Sequence, residues 1–280
     1  MIIDSLLDAL KDSAIALPFL FLAYLLIEAV EKHSEVLTKR FFGRSTFFGP
    51  ALGAVFGLIP QCGFSAAMSN LYVSGIASLG TLIATFLATS DEAVLIMISS
   101  PGSFSQVGKL LLTKLVCALF FGYLLTFIFR PKKRDEMNDI CEGGRCGCGE
   151  GKGIVKPALI HTGKIIVWIF AVTLVLNIVI ALVGSERLAA LLGGNLFIQP
   201  LITALVGLIP NCAVSVLFTE LYLAESLSFA SAAAGLCSGA GTGLIVLFKM
   251  NKNKKECILI TALLYACSAL TGLVLGLFAL

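Results

Sequence analysis

The sequence predicts an all-α polytopic membrane protein: two inverted repeats, each of three full spans plus a proline-tipped helical hairpin, about ten helices in total. Three observations carry that prediction. Of 280 residues, 58% are hydrophobic and only 13% charged, a balance that no water-exposed globular surface tolerates. The apolar residues gather in runs close to the roughly twenty that cross ~30 Å of hydrocarbon. And the motif Gly57-Leu58-Ile59-Pro60-Gln61-Cys62 returns 150 positions later as Gly207-Leu208-Ile209-Pro210-Asn211-Cys212, the mark of an internal duplication. With one Trp, eight Pro and two His, the composition also argues against a soluble enzyme core, a disulfide-stapled secreted domain and a nucleic-acid binder.

Runs at residues 14–30, 79–99, 110–129, 165–183, 227–248 and 258–280 give six full spans. Asp4, Asp8 and Asp12 precede the first, with no basic stretch and no small-residue cleavage site, so it reads as a span and not a removable leader. Two further stretches, 47–59 and 199–209, are apolar for only about a dozen residues before a proline, which at ~1.5 Å per residue reaches half-way across a bilayer. Proline removes a backbone donor and disfavours a straight helix. Each stretch with its continuation therefore reads as two half-helices meeting at a mid-membrane tip, or as a pair of short tilted spans. Both return the chain to the side it left.

The same shift of 150 matches Pro50 with Pro200, Ser65 with Ser215, Leu71-Tyr72 with Leu221-Tyr222, and Ser78 with Ser228. The expected division is residues 1–130 for the first repeat, 131–156 for a cytoplasmic linker rich in Cys, Gly and basic residues, and 157–280 for the second repeat. Three full spans plus a returning hairpin is an odd number of crossings, so the second repeat should be inverted, as in secondary transporters. Charge agrees: with the linker inside, fifteen of the twenty Lys and Arg fall on the cytoplasmic side, among them Lys32, Lys39, Arg40, Arg44, Arg130, Lys132 and Lys249, and both termini face outward.

The chemistry is expected where the repeats meet, because half-helices that end in mid-membrane offer backbone groups and dipole ends to a ligand. Pro60, Gln61, Cys62, Pro210, Asn211 and Cys212 are the candidate substrate-binding residues. The carboxamides can donate and accept, and the two thiolates can clasp a soft metal or metalloid. The plainer reading, a small apolar filler, is preferred for Cys117, Cys237, Cys257 and Cys267. Asp91 and Glu92 lie well inside the run 79–99, where ionisable groups are expensive and mark a pathway, a proton relay or a buried pair. Lys114 falls at the same depth and is the candidate for a structural ion pair. The shift of 150 replaces Asp91, Glu92 and Lys114 together by Gly241, Thr242 and Leu264. One carboxylate remains over for cation binding or proton coupling. The Gly-rich stretch Ser238-Gly239-Ala240-Gly241-Thr242-Gly243 either loosens a helix to expose carbonyls or packs helices closely through small residues. In the linker, Cys141, Cys146 and Cys148 put three thiols on a flexible chain: a soft-metal clasp, or simply a flexible basic connection. Gly151-Lys152-Gly153 lacks the spacing of a phosphate loop, so no nucleotide is expected.

These residues resemble a known family. The two proline tips, Thr89-Ser90-Asp91-Glu92-Ala93, Thr219-Glu220-Leu221-Tyr222, His161-Thr162 and the ligand-rich linker are similar to the bacterial ten-span heavy-metal exporters, relatives of the arsenical permeases also called manganese transporters. The resemblance covers nearly the whole chain. It implies a multispan permease of the inner, cytoplasmic membrane, ten helices when each hairpin counts as two, that exports a metal or metalloid; separately, no cofactor and no catalytic residue are expected. By position it places Pro60, Gln61, Cys62, Asp91, Glu92, Pro210, Asn211 and Cys212 at the core.

Ligand chemistry divides the substrate. Thiols favour arsenite, zinc, cadmium or copper, and carboxylates a harder ion such as manganese. Two other classes stand beside export. A permease for a sulfur-containing anion would hold charge on half-helix N-termini. A membrane thiol oxidoreductase would need paired cysteines near a membrane face, and no C-x-x-C is present.

Overall fold

The structure, a computed structural model, describes residues 45–59, 62–89, 93–99, 104–129 and 198–278, with individual positions between 10 and 25 and between 159 and 178, all helical. The described residues are helical and contain no strand, and the chain is an all-α polytopic membrane protein. Ten helices can be bounded: α1 Ser45–Gly57, α2 Cys62–Val73, α3 Leu79–Ala88, α4 Ala93–Ser99, α5 Phe104–Ile128, α6 Ile198–Gly207, α7 Cys212–Leu223, α8 Phe229–Ser238, α9 Thr242–Met250 and α10 Lys254–Phe278. The limits of α2, α3 and α5 shifted by 150 are those of α7, α8 and α10.

Two of the six spans expected from the sequence differ in detail. The run 79–99 is α3 and α4, and the run 227–248 is α8 and α9, so each is broken near its middle. In the second, Gly239, Ala240 and Gly241 are non-helical, and Gly241 has φ 53° and ψ −141°, a region open essentially to glycine alone. Both runs are apolar enough overall to read as full spans, but the first helix stops before Thr89, and in the second the Gly-rich stretch loosens the helix, one of the two readings open to it. The spans expected from 110 and 258 begin earlier, at Phe104 and Lys254. The expected spans 14–30 and 165–183 and the linker 131–156 lie wholly or largely outside the described residues. Among the described residues, Phe104–Ile128, Phe229–Met250 and Lys254–Phe278 are each long and apolar enough to cross a membrane.

The two broken runs form the centre. From Gly80 to Ala88 every residue of α3 is buried, as is every residue of α8 from Ala230 to Ser238. Each begins with a serine cap that satisfies an orphan N–H. Ser78 Oγ accepts from Thr81 N at 3.2 Å and Ser228 Oγ from Ser231 N at 3.2 Å. Around this centre α1 and α5 pack on α3, and α6 and α10 pack on α8, while α2 crosses to lie on α9 and α7 crosses to lie on α4. The hairpin of each half thus packs on the second half-helix of the other.

The seams are tight because they are made of glycine. A Cβ on Gly122 of α5 would stand 2.8 Å from Ala84 Cβ and 3.1 Å from Pro50 Cβ, and one on Gly272 of α10 2.6 Å from Ala234 Cβ and 2.7 Å from Pro200 Cβ. Close approach through small residues is how helices associate in lipid, where apolar burial adds little. The inward face of α5 is Val107, Leu110, Lys114, Ala118, Gly122 and Leu125, a three-and-four spacing. Its other face exposes Leu112, Val116, Phe120 and Phe127, apolar on both sides as a lipid-facing helix is.

Candidate functional site

The break between α8 and α9 leaves the last carbonyls of one helix and the first N–H groups of the next inside the bundle. Ala240 N donates to Ser238 O at 2.9 Å and Gly243 N to Ala240 O at 3.1 Å, and the N-cap Gly241 makes no side-chain capping bond. On the far side α9 presses on the first repeat. A Cβ on Gly243 would lie 2.7 Å from Phe86 Cε1 and 2.9 Å from Ser65 Cβ, and Ser69 Oγ donates to Gly243 O at 2.8 Å. Replacing Gly241 by Ala should place a side chain in strained backbone, lowering stability by about 1–3 kcal/mol. The expected readout is a lower thermal midpoint in detergent; an unchanged midpoint would show that the break does not depend on this conformation.

The second hairpin tip reaches this break. A Cβ on Gly207, the last residue of α6, would stand 2.2 Å from Ser238 Oγ and 2.3 Å from Gly235 O. A Cβ on Gly239 would stand 3.6 Å from Ser215 Oγ, one turn into α7. Between α6 and α7 the chain turns through Leu208, Ile209, Pro210 and Asn211. Asn211 is extended, at φ −146° and ψ 132°, and its Oδ1 accepts from Ala213 N at 2.8 Å. The carboxamide expected to serve a ligand therefore also caps α7, which is why Asn suits the position before the helix. Cys212, the first residue of α7, is half-buried and in no disulfide, and Pro210 is partly buried.

The first repeat arranges the same meeting. A Cβ on Gly57 at the end of α1 would come 2.6 Å from Thr85 O and 2.8 Å from Ala88 Cβ, at the end of α3. Here α3 ends on a threonine ladder: Thr85 Oγ1 donates to Thr81 O at 2.9 Å and Thr89 Oγ1 to Thr85 O at 2.7 Å. Lys114, on α5, is 1% exposed, and its Nζ donates to Thr89 O. A cation at a helix C-terminus meets both the orphan carbonyls and the negative end of the dipole. Its position is legible in the sequence; its partner Thr89 is not, since a backbone acceptor leaves no sequence signal.

Pro60, Gln61, Asp91, Glu92, Cys141, Cys146, Cys148, His161 and the side chain of Cys62 lie outside the described residues. Cys237, Cys257 and Cys267 are buried among apolar side chains, and Cys117 is half-buried, the environment of a filler. No group of three or more His, Cys, Asp and Glu among the described residues is placed to hold a metal ion. Sequence reasoning missed two polar clusters: Gln199 Oε1, which accepts from Ser228 and Ser231, and a second one around Glu256. Tyr72 Oη donates to Glu256 Oε1 at 2.5 Å, and Asn251 Nδ2 to Glu256 Oε2 at 3.2 Å. Glu256 reads as an ordinary loop charge until position 106 is set beside it.

A family model described as "Putative, 10TM heavy-metal exporter" matches residues 1–145, just over half of the 280 residues. The chain belongs to this family. Counting α3 with α4 and α8 with α9, the bounded helices of this ten-span exporter family member supply eight arms, and further helical positions lie between 10 and 25 and between 159 and 178. No curated protein and no solved structure matches the chain. Membership places the chain among multi-pass membrane proteins of heavy-metal export.

Proposed function

We propose that the chain is a proton-coupled secondary transporter of the bacterial inner membrane that exports a heavy-metal or metalloid ion, arsenite or a divalent metal such as manganese or zinc. The observation that carries this reading is the meeting of a hairpin tip with a broken helix, twice: α6 against the end of α8 and α1 against the end of α3. Helix ends that stop inside a bundle turn their dipoles toward a passing ion, and such breaks mark substrate sites in inverted-repeat transporters. The site is formed by Pro60, Gln61, Cys62, Pro210, Asn211 and Cys212, with Asp91 or Glu92 carrying the coupling proton. The repeats are inverted and the tips are re-entrant. Two facts support this: α10 begins beside Tyr72 at the end where α5 finishes, and α1 and α6 stop where α3 and α8 stop. With the linker inside, both termini face out.

The test is uptake of arsenite, manganese and zinc into proteoliposomes under an imposed proton gradient. Flux of one ion should fall at least tenfold in Cys62→Ser/Cys212→Ser and persist when the linker cysteines are replaced. Its pH-driven part should vanish in Asp91→Asn or Glu92→Gln. Full flux in both carboxylate variants would sink proton coupling. A second reading has its own support: the N-terminus of α9 makes no side-chain cap and could hold an anion. Absence of metal flux, with uptake competed by sulfur-containing anions, would establish that reading instead.

A further inference from the structure

The Tyr72–Glu256 contact joins the two repeats at one end of the bundle. Tyr72 is on the last turn of α2 and Glu256 on the first turn of α10. A phenol on a carboxylate at 2.5 Å is in the range of charge-assisted bonds, about twice as strong as neutral ones. Asn251 ties the second carboxylate oxygen to the α9–α10 turn, which Lys254 closes by donating from Nζ to Phe248 O and, at 3.1 Å, to Asn251 O. The contact sits in an apolar cluster with Leu244, Leu247, Cys257 and Ile260.

Shifting every one of these positions by 150 gives Tyr222, Gln106, Val94, Met97, Val107 and Leu110. Those four apolar residues and Tyr222 also share one cluster. The surroundings are duplicated, but the bond is not. Gln106 Oε1 is buried and accepts no hydrogen bond from the described residues, so the equivalent of the Tyr72 bond is absent among them. Nor can Asn251 be copied, because position 101 is Pro. The two places lie at opposite ends: α3 starts just after Tyr72 and its Gly80 touches Thr126 of α5, some ~30 Å along that helix from Gln106.

We infer that Tyr72–Glu256 and Tyr222–Gln106 are paired latches of alternating access, and that in this structure the first bond is made and the second is not. The inference rests on the transport reading above. Two pseudo-equivalent seams, α2 on α9 and α7 on α4, cannot both be open without a leak, and each must loosen in its turn if a site between them is to face either side. An acceptor buried without a partner costs free energy, and the opposite state relieves it by bringing Tyr222 to Gln106. The latches are unequal in strength: a carboxylate with two donors against a carboxamide with one. That difference favours closure at the Glu256 end at rest.

Cys257, next to Glu256, is fully buried and reports on this end without any substrate. Labelling of Cys257 in the full chain by N-ethylmaleimide, read by peptide mass spectrometry, should accelerate about tenfold in Tyr72→Phe, as loss of one such bond implies. Gln106→Glu, at the far end, should also accelerate it severalfold. It gives Tyr222 a stronger acceptor and makes the present state costlier. Adding Tyr222→Phe to Gln106→Glu should restore the parental rate. If Gln106→Glu leaves Cys257 labelling unchanged, the latches are not coupled and the inference fails, even where Tyr72→Phe merely loosens its own end. Coupled labelling without metal flux would overturn the export reading alone. Flux with uncoupled labelling would overturn the latches alone.

Discussion

Lys114→Leu is expected to lower stability by about 3 kcal/mol and to abolish export, while Lys114→Gln recovers much of the stability and none of the export. The leucine is not arbitrary: position 264, the equivalent in the second repeat, already carries it. Lys114 is 1% exposed and donates to Thr89 O at the end of α3. Removing it strands that carbonyl at a helix terminus inside the bundle, and a buried acceptor left without its donor costs about 1–3 kcal/mol, the upper end where the donor was charged. Gln retains a donor for Thr89 O but not the charge. The pair of variants therefore separates a helix cap from an electrostatic element of the pathway. Chemical denaturation in detergent reads the first quantity and proteoliposome flux the second. Parental flux in Lys114→Gln would show that the charge serves only to finish α3.

The second repeat explains why Leu264 is tolerated. The end of α8 is closed by its own chain: Ser238 Oγ donates to Gly235 O at 2.9 Å, and Gly239 to Gly241 carry the backbone away. The two repeats reach the same break by different chemistry, one through threonines and a lysine, the other through glycine. That accounts for Lys114 where the second repeat has Leu264.

Much of the fold was legible because its signals are local or periodic. The apolar runs, the prolines of the two tips and the 150-residue shift place the bounded helices, apart from the two breaks and the starts at Phe104 and Lys254, which lie six and four residues before the apolar runs. The break at 239–241 is one of the two readings open to the Gly-rich stretch Ser238 to Gly243, whereas at 89–92 the polar residues read as a site inside a continuous span and not as the end of a helix. At the site, the sequence located Asn211 and Cys212 at a helix start but not the capping bond of Asn211, whose geometry is local to the tip. Glu256 escaped for the opposite reason. Its partner Tyr72 lies 184 positions away, and no spacing rule connects them. A comparison of the repeats would have brought Glu256 beside Gln106, but only coordinates reveal that one carboxyl-type oxygen has a donor among the described residues and the other none.

Gly80→Ala is expected to destabilise the bundle by about 3 kcal/mol, and Gly80→Ala/Thr126→Gly to be more stable than the two single changes added together. The repeats supply the reason. At the α3–α5 seam a Cβ on Gly80 would stand 1.9 Å from Thr126 Oγ1 and 2.3 Å from Gly122 O. Thr126 cannot turn aside without cost, since its hydroxyl donates to Gly122 O at 2.8 Å. The helices must separate, and overpacking of this kind costs about 1–3 kcal/mol, the upper end where backbone is struck. At the α8–α10 seam the equivalent residues are Ala230 and Gly276, and a Cβ on Gly276 would meet Ala230 Cβ at a comfortable 3.9 Å. One repeat puts the methyl on the buried helix and nothing opposite; the other puts nothing on the buried helix and a threonine opposite. Thr126→Gly alone should lose about 0.3–0.5 kcal/mol of helix propensity, since Thr is already a weak helix former. In the double variant it also vacates the space that a methyl at position 80 needs, so a double-mutant cycle in detergent should give a favourable coupling of about 1–2 kcal/mol. Strict additivity would mean that the carbonyl of Gly122, which neither change moves, is what forbids a side chain at position 80. The seams would then be alike in sequence register but not in helix separation.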